Sequence, residues 1–246
     1  MSCRSPDTCH YDDTSQRLVS VVQCLSLVAA GTAESRHHAA LGHSARALAQ
    51  ALAKYLCLSR TEKLLRLLIE FTPTAIRRMF NTSPNSVVGV GRLLSVMTML
   101  IFRLSEGVAL LASEGVLSTA VSSYTSWVAP RLLFYYNLLK VVTSAALLRT
   151  IPRISFEATD TQNVFRKRRY LDEVLKFLEG VGLMIYAMTL LPGRASSSMV
   201  TFQQKHLLGR TLTAASAAFP PALPVSVTTQ GMIGLAATLP SFLMSS

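Results

Sequence analysis

The chain has 246 residues, with 24 Lys and Arg against 13 Asp and Glu, so its formal net charge is +11. Half of its residues are hydrophobic and only 15% are charged, where a soluble domain carries about 25% charged residues. That balance argues against an ordinary water-soluble domain and for a membrane-associated chain. The positive charge suits an anionic lipid surface. Nucleic-acid binding is not expected, because the basic residues are not interleaved with exposed aromatics and no motif of that kind is present.

In chain order, residues 1–15 are polar and expected to be disordered, 17–30 read as a modest apolar helix, and 31–42 as a loop. A helical region rich in Ala and Leu starts near Ser44, with Leu48, Leu52, Tyr55 and Leu56 at helical spacing. Ser59-Arg60-Thr61-Glu62 has the form of a capping box, which predicts a helix start at Ser59. Glu62, Arg66 and Glu70 are four apart, so either carboxylate can pair with Arg66. Pro73 is placed as a first helical residue, and 81–84 read as a linker.

The stretch 92–114 is a helix with two unlike sides. At 100° per residue Arg92, Ser95, Arg103, Glu106, Ser113 and Glu114 form one narrow polar stripe. Leu93, Leu94, Met97, Leu100, Ile101, Leu104, Val108 and Leu111 cover the wide remainder. A helix lying in a membrane interface has this pattern; so does a bundle helix with one exposed stripe. A third helical region, 127–148, is opened by Pro130, and Trp127, Phe134, Tyr135 and Tyr136 are either interface anchors or packing aromatics. Residues 149–163 read as a loop. The basic tetrad Arg166, Lys167, Arg168 and Arg169 then precedes a helix that is amphipathic first and apolar over 181–191. The tetrad is either a solvated face or a cluster for acidic lipid headgroups. Residues 194–205 are polar, and Phe219, Pro220, Pro221 and Pro224 make a stiff connector. The last 36 residues contain no Asp, Glu, Lys or Arg.

No period-2 strand pattern and no internal repeat is present, so the fold class read from the sequence is all-α. No stretch is a clean run of about 20 apolar residues. The candidates 116–148, 181–191 and 231–244 are interrupted or short, which predicts a membrane-associated helical protein with interfacial amphipathic helices and one or two membrane-embedded helices. Residues 1–43 read as a polar, partly disordered extension with a short helix, and 44–246 as the helical membrane domain.

Catalysis is not expected. His37, His38 and His43 fall in a polar loop with no carboxylate or cysteine at metal spacing, so no metal site is read. Gly89-Val90-Gly91 has no lysine to cradle phosphate, no nucleophile elbow exists, and no cofactor is implied. Cys3, Cys9, Cys24 and Cys57 form no Cys-x-x-Cys pair; buried free thiols are the ordinary reading. Arg131, Lys140 and Glu179 are ionisable residues in apolar surroundings and so candidates to line a transport path.

Several segments resemble peroxin-11 proteins. Residues 52–68, from Leu52-Ala53-Lys54-Tyr55-Leu56-Cys57-Leu58 through Leu64-Leu65-Arg66-Leu67-Leu68, are similar to the family's short helix, its Gly-Arg-Asp-Lys-like turn and its Leu-Leu-Arg-Leu run, with Ser59-Arg60-Thr61-Glu62-Lys63 a looser, longer version of that turn. Leu100-Ile101-Phe102-Arg103-Leu104-Ser105-Glu106-Gly107 resembles the Arg-Lys-Leu-Phe-Arg-Leu-Gly region. Arg131-Leu132-Leu133-Phe134-Tyr135-Tyr136-Asn137-Leu138-Leu139 resembles a Leu-Tyr-Tyr-x-Asp-Asn-Leu stretch, with Tyr136 in place of the Asp. Residues 229–241, Thr229-Gln230-Gly231-Met232-Ile233-Gly234-Leu235-Ala236-Ala237-Thr238-Leu239-Pro240-Ser241, are similar to the family's Gly-x-x-Gly-Leu-x-Gly-x-x-Ser-Ser terminus. The segments fall in the family's order over most of 45–246.

The resemblance implies a peroxisomal or glycosomal membrane protein that promotes organelle elongation, proliferation and division. It further implies self-association, work with dynamin-like fission machinery, and insertion of an amphipathic helix, here 92–114, into the cytosolic leaflet. The alternative is a pore or small-solute channel of the same membrane, and a soluble helical adaptor is a third reading.

Overall fold

The computed structural model describes residues 6–70, 72–84, 86–151, 160–191 and 222–243. They form α1 (Pro6–Ser35), α2 (Ala39–Glu70), α3 (Pro73–Asn81), α4 (Ser86–Ser113), α5 (Thr119–Thr150), α6 (Asp160–Thr189) and α7 (Val227–Leu243). There is no strand among the described residues, so the chain is all-α.

Several boundaries differ from the sequence reading. The first helix starts at Pro6, and only residues 36–38 separate it from α2, with His37 in the left-handed region at φ 61° closing the turn. The loop expected over 31–42 is therefore mostly helix. α2 runs through Ser59 without a start there, because the Ser59 hydroxyl is taken by Gln16 Nε2 of α1 and does not cap. Pro73 does open α3. Pro130 sits inside α5, which starts at Thr119; membrane helices tolerate such an internal proline because neighbouring groups satisfy the freed carbonyl. α6 begins at Asp160, so the basic tetrad lies on the helix and does not precede it. The side chains of Glu62, Arg66, Glu70 and Trp127, the polar stretch 194–205 and the connector 219–221 lie outside the described residues.

Six of the helices close a ring. Each of α1, α2, α4, α5, α6 and α7 packs on the next in that order, α7 returns to α1, and α3 lies on α4. The seams rest on small residues and a few polar clasps. On α7, Gly231, Gly234, Ala237 and Ser241 are buried in one stripe. A Cβ on Gly231 would come 2.8 Å from the backbone nitrogen of Val28 and 2.9 Å from the carbonyl oxygen of Cys24. One on Gly182 of α6 would come 2.8 Å from Cα of Ala237. These helices touch backbone to backbone, as helices do where lipid removes the hydrophobic drive and close packing must replace it. Arg17 Nη1 donates to the carbonyl of Ser241 at 2.6 Å, clasping α1 to α7. The seam between α2 and α4 is held by Lys54 and Glu114 at 2.8 Å and by the Cys57 thiol on the carbonyl of Glu106 at 3.4 Å.

The distribution of apolar residues is inverted relative to a soluble bundle. The buried hydrophobics are mostly small, with Cys24, Ala30, Ala49, Val88, Ala112, Ala187 and Ala237 among them. Large ones stand outside, on every helix of the ring. Exposed large apolar residues in this number suit a membrane or protein contact surface.

Candidate functional site

Three helical stretches are long and apolar enough to cross a membrane: Ser15–Ser35 with 21 residues, Ser86–Ser113 with 28 and Val128–Thr150 with 23. By length and composition these are candidates for the membrane-embedded helices expected of the fold. The stretch 181–191 is the end of a helix that carries many charges upstream. α7 has 17 residues, about 26 Å at 1.5 Å per residue, shorter than the roughly 30 Å hydrocarbon core. Ser15–Ser35 lies in the stretch read from the sequence as a short helix and a loop, and the structure makes it one continuous helix.

α4 positions the site. Val87, Val90, Leu94, Met97, Ile101, Leu104 and Leu111 are all exposed, between 42% and 59%, and form one row at spacings of three and four that skips one position between Leu104 and Leu111. Val108 fills that position and is half-buried, and Leu93 and Leu100, the other apolar residues expected to meet lipid, are half-buried on the flank of the row. Arg92, Ser95, Arg103 and Glu106 are half-buried on the opposite side and enter the walls of two cavities. These four of the six stripe residues turn toward neighbouring helices, whereas Ser113 and Glu114 at the end of the stripe are exposed.

The first cavity, about 530 Å³, lies between α4, α5 and α6. The second, about 510 Å³, is central: Cys24 of α1, Leu56 of α2, Arg103 of α4, Asn137 of α5, Glu179 of α6 and Gly234 of α7 all stand in its wall. The two share Met99, Arg103, Tyr136 and Lys140. Lys140 Nζ donates to Glu179 Oε2 at 2.6 Å across the α5–α6 seam. Glu173, 9% exposed, accepts from Lys176 Nζ at 2.7 Å. Asn137 is fully buried; its Nδ2 donates to the carbonyl of Leu133 at 2.8 Å, while its Oδ1 has no partner among the described residues. A buried acceptor left unpaired costs about 1–3 kcal/mol.

Of the residues singled out for a transport path, Lys140 and Glu179 meet in the central cavity, whereas Arg131 lines neither cavity. Tyr136 is a cavity residue. Phe134 and Tyr135 stack edge to face at 5.5 Å. Asn137, Glu173 and Lys176 were missed; the available signal was a polar residue within an apolar run for Asn137, and an i, i+3 acid–base pair for the other two.

The basic tetrad stands apart from the cavities. Four consecutive helical residues point to four sides, and Lys167, Arg168 and Arg169 are exposed with Arg166 half-buried. Val164, Phe165, Tyr170 and Leu171 beside them are exposed between 52% and 74%. Exposed basic and aromatic residues are mixed at this end of α6, as at a headgroup layer, which corrects the expectation that the basic residues have no exposed aromatics among them. Among the described residues no group of His, Cys, Asp and Glu is placed to hold a metal ion. His38 and His43 are exposed, and Cys24 and Cys57 are free thiols. No family profile, curated protein or solved structure matches this chain.

Proposed function

We propose that this chain is an integral protein of a peroxisome-type organelle, the peroxisome or glycosome, and promotes its elongation and division through apolar helix faces presented to lipid. The observation that carries the reading is the exposed row on α4 from Val87 to Leu111. A broad apolar surface placed in one leaflet expands that leaflet and favours curvature. The basic tetrad of α6 supplies contact with anionic headgroups. The organelle, the self-association and the dynamin-like partner rest on the ordered peroxin-11-like segments alone. The test is electron microscopy of the full chain reconstituted in acidic liposomes. Wild type is expected to tubulate them. Leu94→Glu with Ile101→Glu, both on the exposed row, is expected to abolish tubulation; a folded double variant that tubulates normally sinks the reading.

A second reading has its own observation. The central cavity is walled by six helices and holds Arg103, Glu106, Lys140 and Glu179, which suits passage or binding of a small polar solute. Reconstituted protein is then expected to conduct in planar bilayers, with Glu179→Gln changing the ion selectivity. Silence in the bilayer, from protein with normal helical circular dichroism, counts against it.

A further inference from the structure

The outer cavity holds one cation, Arg92, with no carboxylate beside it among the described residues. Its wall also carries Arg103 from α4, Lys140 from α5, and Lys176 with Glu173 from α6. Lys176 is bound to Glu173 and Lys140 to Glu179. Arg92 is placed differently. Its Nη1 reaches the Ser83 hydroxyl at 3.5 Å, the outer limit of a hydrogen bond, and no carboxylate pairs with it among the described residues.

Arg92 is also half-buried within Ser86–Ser113, a helix apolar enough to cross a membrane. A half-buried guanidinium gives up part of its hydration, and an anion that meets it restores the lost contacts. Its planar fork matches two oxygens of a phosphate or carboxylate. The cavity of about 530 Å³ has room for such a group and for a short carbon skeleton beside Val96, Met99 and Leu147.

We propose that the cleft between α4, α5 and α6 is an oxyanion-binding site, with Arg92 the primary ligand and the half-exposed ammonium of Lys176, which gives one of its donors to Glu173, as a second donor. The oxyanion belongs to a soluble phosphate ester or to a phosphate headgroup of a lipid; both present the same terminal phosphate to Arg92. Arg103 and Lys140 also line the central cavity, so an anion held here stands beside it. Binding requires neither curvature generation nor conduction, so the proposal is independent of both readings above.

The experiment is calorimetric titration of the purified full chain in a neutral detergent with glycerol 3-phosphate, and in parallel with short-chain phosphatidic acid against short-chain phosphatidylcholine. Saturable binding of glycerol 3-phosphate, weakened tenfold or more by Arg92→Gln, assigns the site to a soluble ester. Binding of phosphatidic acid alone, with the same loss, assigns it to a lipid headgroup. Arg78→Gln, an exposed cation on α3, is expected to bind as wild type. Two results overturn the proposal: no preference of either anion over glycerol or phosphatidylcholine, and unchanged affinity in folded Arg92→Gln. Should Arg92→Gln fail to fold, Lys176→Gln on the partly exposed rim serves instead, with a several-fold loss expected and unchanged affinity overturning the proposal.

Discussion

Lys140 of α5 and Glu179 of α6 form an ion pair at 2.6 Å with side chains only 25% and 17% exposed. It ties two neighbouring helices of the ring at the wall of the central cavity. Removing one partner strands the other's charge, which costs about 3–5 kcal/mol for a fully buried pair. Water reaches this pair in part, so about 1–3 kcal/mol is expected for Lys140→Met or Glu179→Leu alone. The double variant is expected to lose less than the sum of the singles. Unfolding in mild detergent with a double-mutant cycle checks this, and strict additivity means the pair does not couple.

Backbone contact between α1 and α7 makes Gly231 irreplaceable. A Cβ there meets main-chain atoms of Val28 and Cys24 under 3 Å away, and backbone cannot swing aside. Gly231→Val is expected to open the α1–α7 seam and lower thermal stability by more than about 3 kcal/mol. Gly107 of α4 has nothing within 4 Å of its would-be Cβ. Gly107→Ala is expected to gain up to about 1 kcal/mol from helix propensity. Thermal unfolding of the two variants side by side separates packing from propensity.

The two sides of α4 should report different solvents. Nitroxide labels at Leu94, Met97, Ile101 and Leu104 are expected to collide with dissolved oxygen, which partitions into lipid. Labels at Ser95 and Glu106 are expected to sense a polar relaxing agent, or neither agent where the interior is closed. A polar-agent signal along the exposed row would mean that water, and not lipid, covers it.

The Lys54 ammonium donates to Glu114 and its charge adds to that bond, so the Glu114 carboxyl is held below the ordinary carboxylate range. A folded value lower than the unfolded one means the contact contributes above the ordinary value of about 4.3 and is lost as pH falls through the lower folded value. Both side chains are more than half exposed, so salt is expected to screen the effect. Lys54→Ala is expected to return the Glu114 titration, followed by carboxyl-selective NMR, to the ordinary range; a titration unmoved by that substitution would refute the pairing.

Much of α4 was legible before any fold was known. A helix has one period, and the separation of Arg92, Ser95, Arg103 and Glu106 from the leucine side follows from it. Periodicity cannot state which side meets the medium, because that depends on whether the medium is water or lipid. The end of α1 was misjudged for a related reason. Gly31 to Gly42 is polar and glycine-bounded, and the sequence alone offered no sign of the tight partner, Thr228 of α7, against which Gly31 packs. Ser59 and Glu62 had the spacing of a helix start, but Gln16 of α1 occupies the Ser59 hydroxyl, and a partner 43 residues away leaves no local trace.

By itself the sequence determined that this chain is helical, charge-poor, basic and built for a membrane, because composition and helical period are local properties. It also marked the polar stripe of α4 and the isolated charges Lys140 and Glu179. Only the tertiary structure decided that α7 returns to α1 and closes a ring, that four of the six stripe residues turn toward neighbouring helices, and that Lys140 finds Glu179 while Arg92 finds no carboxylate among the described residues. Those outcomes depend on which backbones approach closely enough to exclude a Cβ and on which charges share one cavity. Both are set by contacts between residues far apart in the chain.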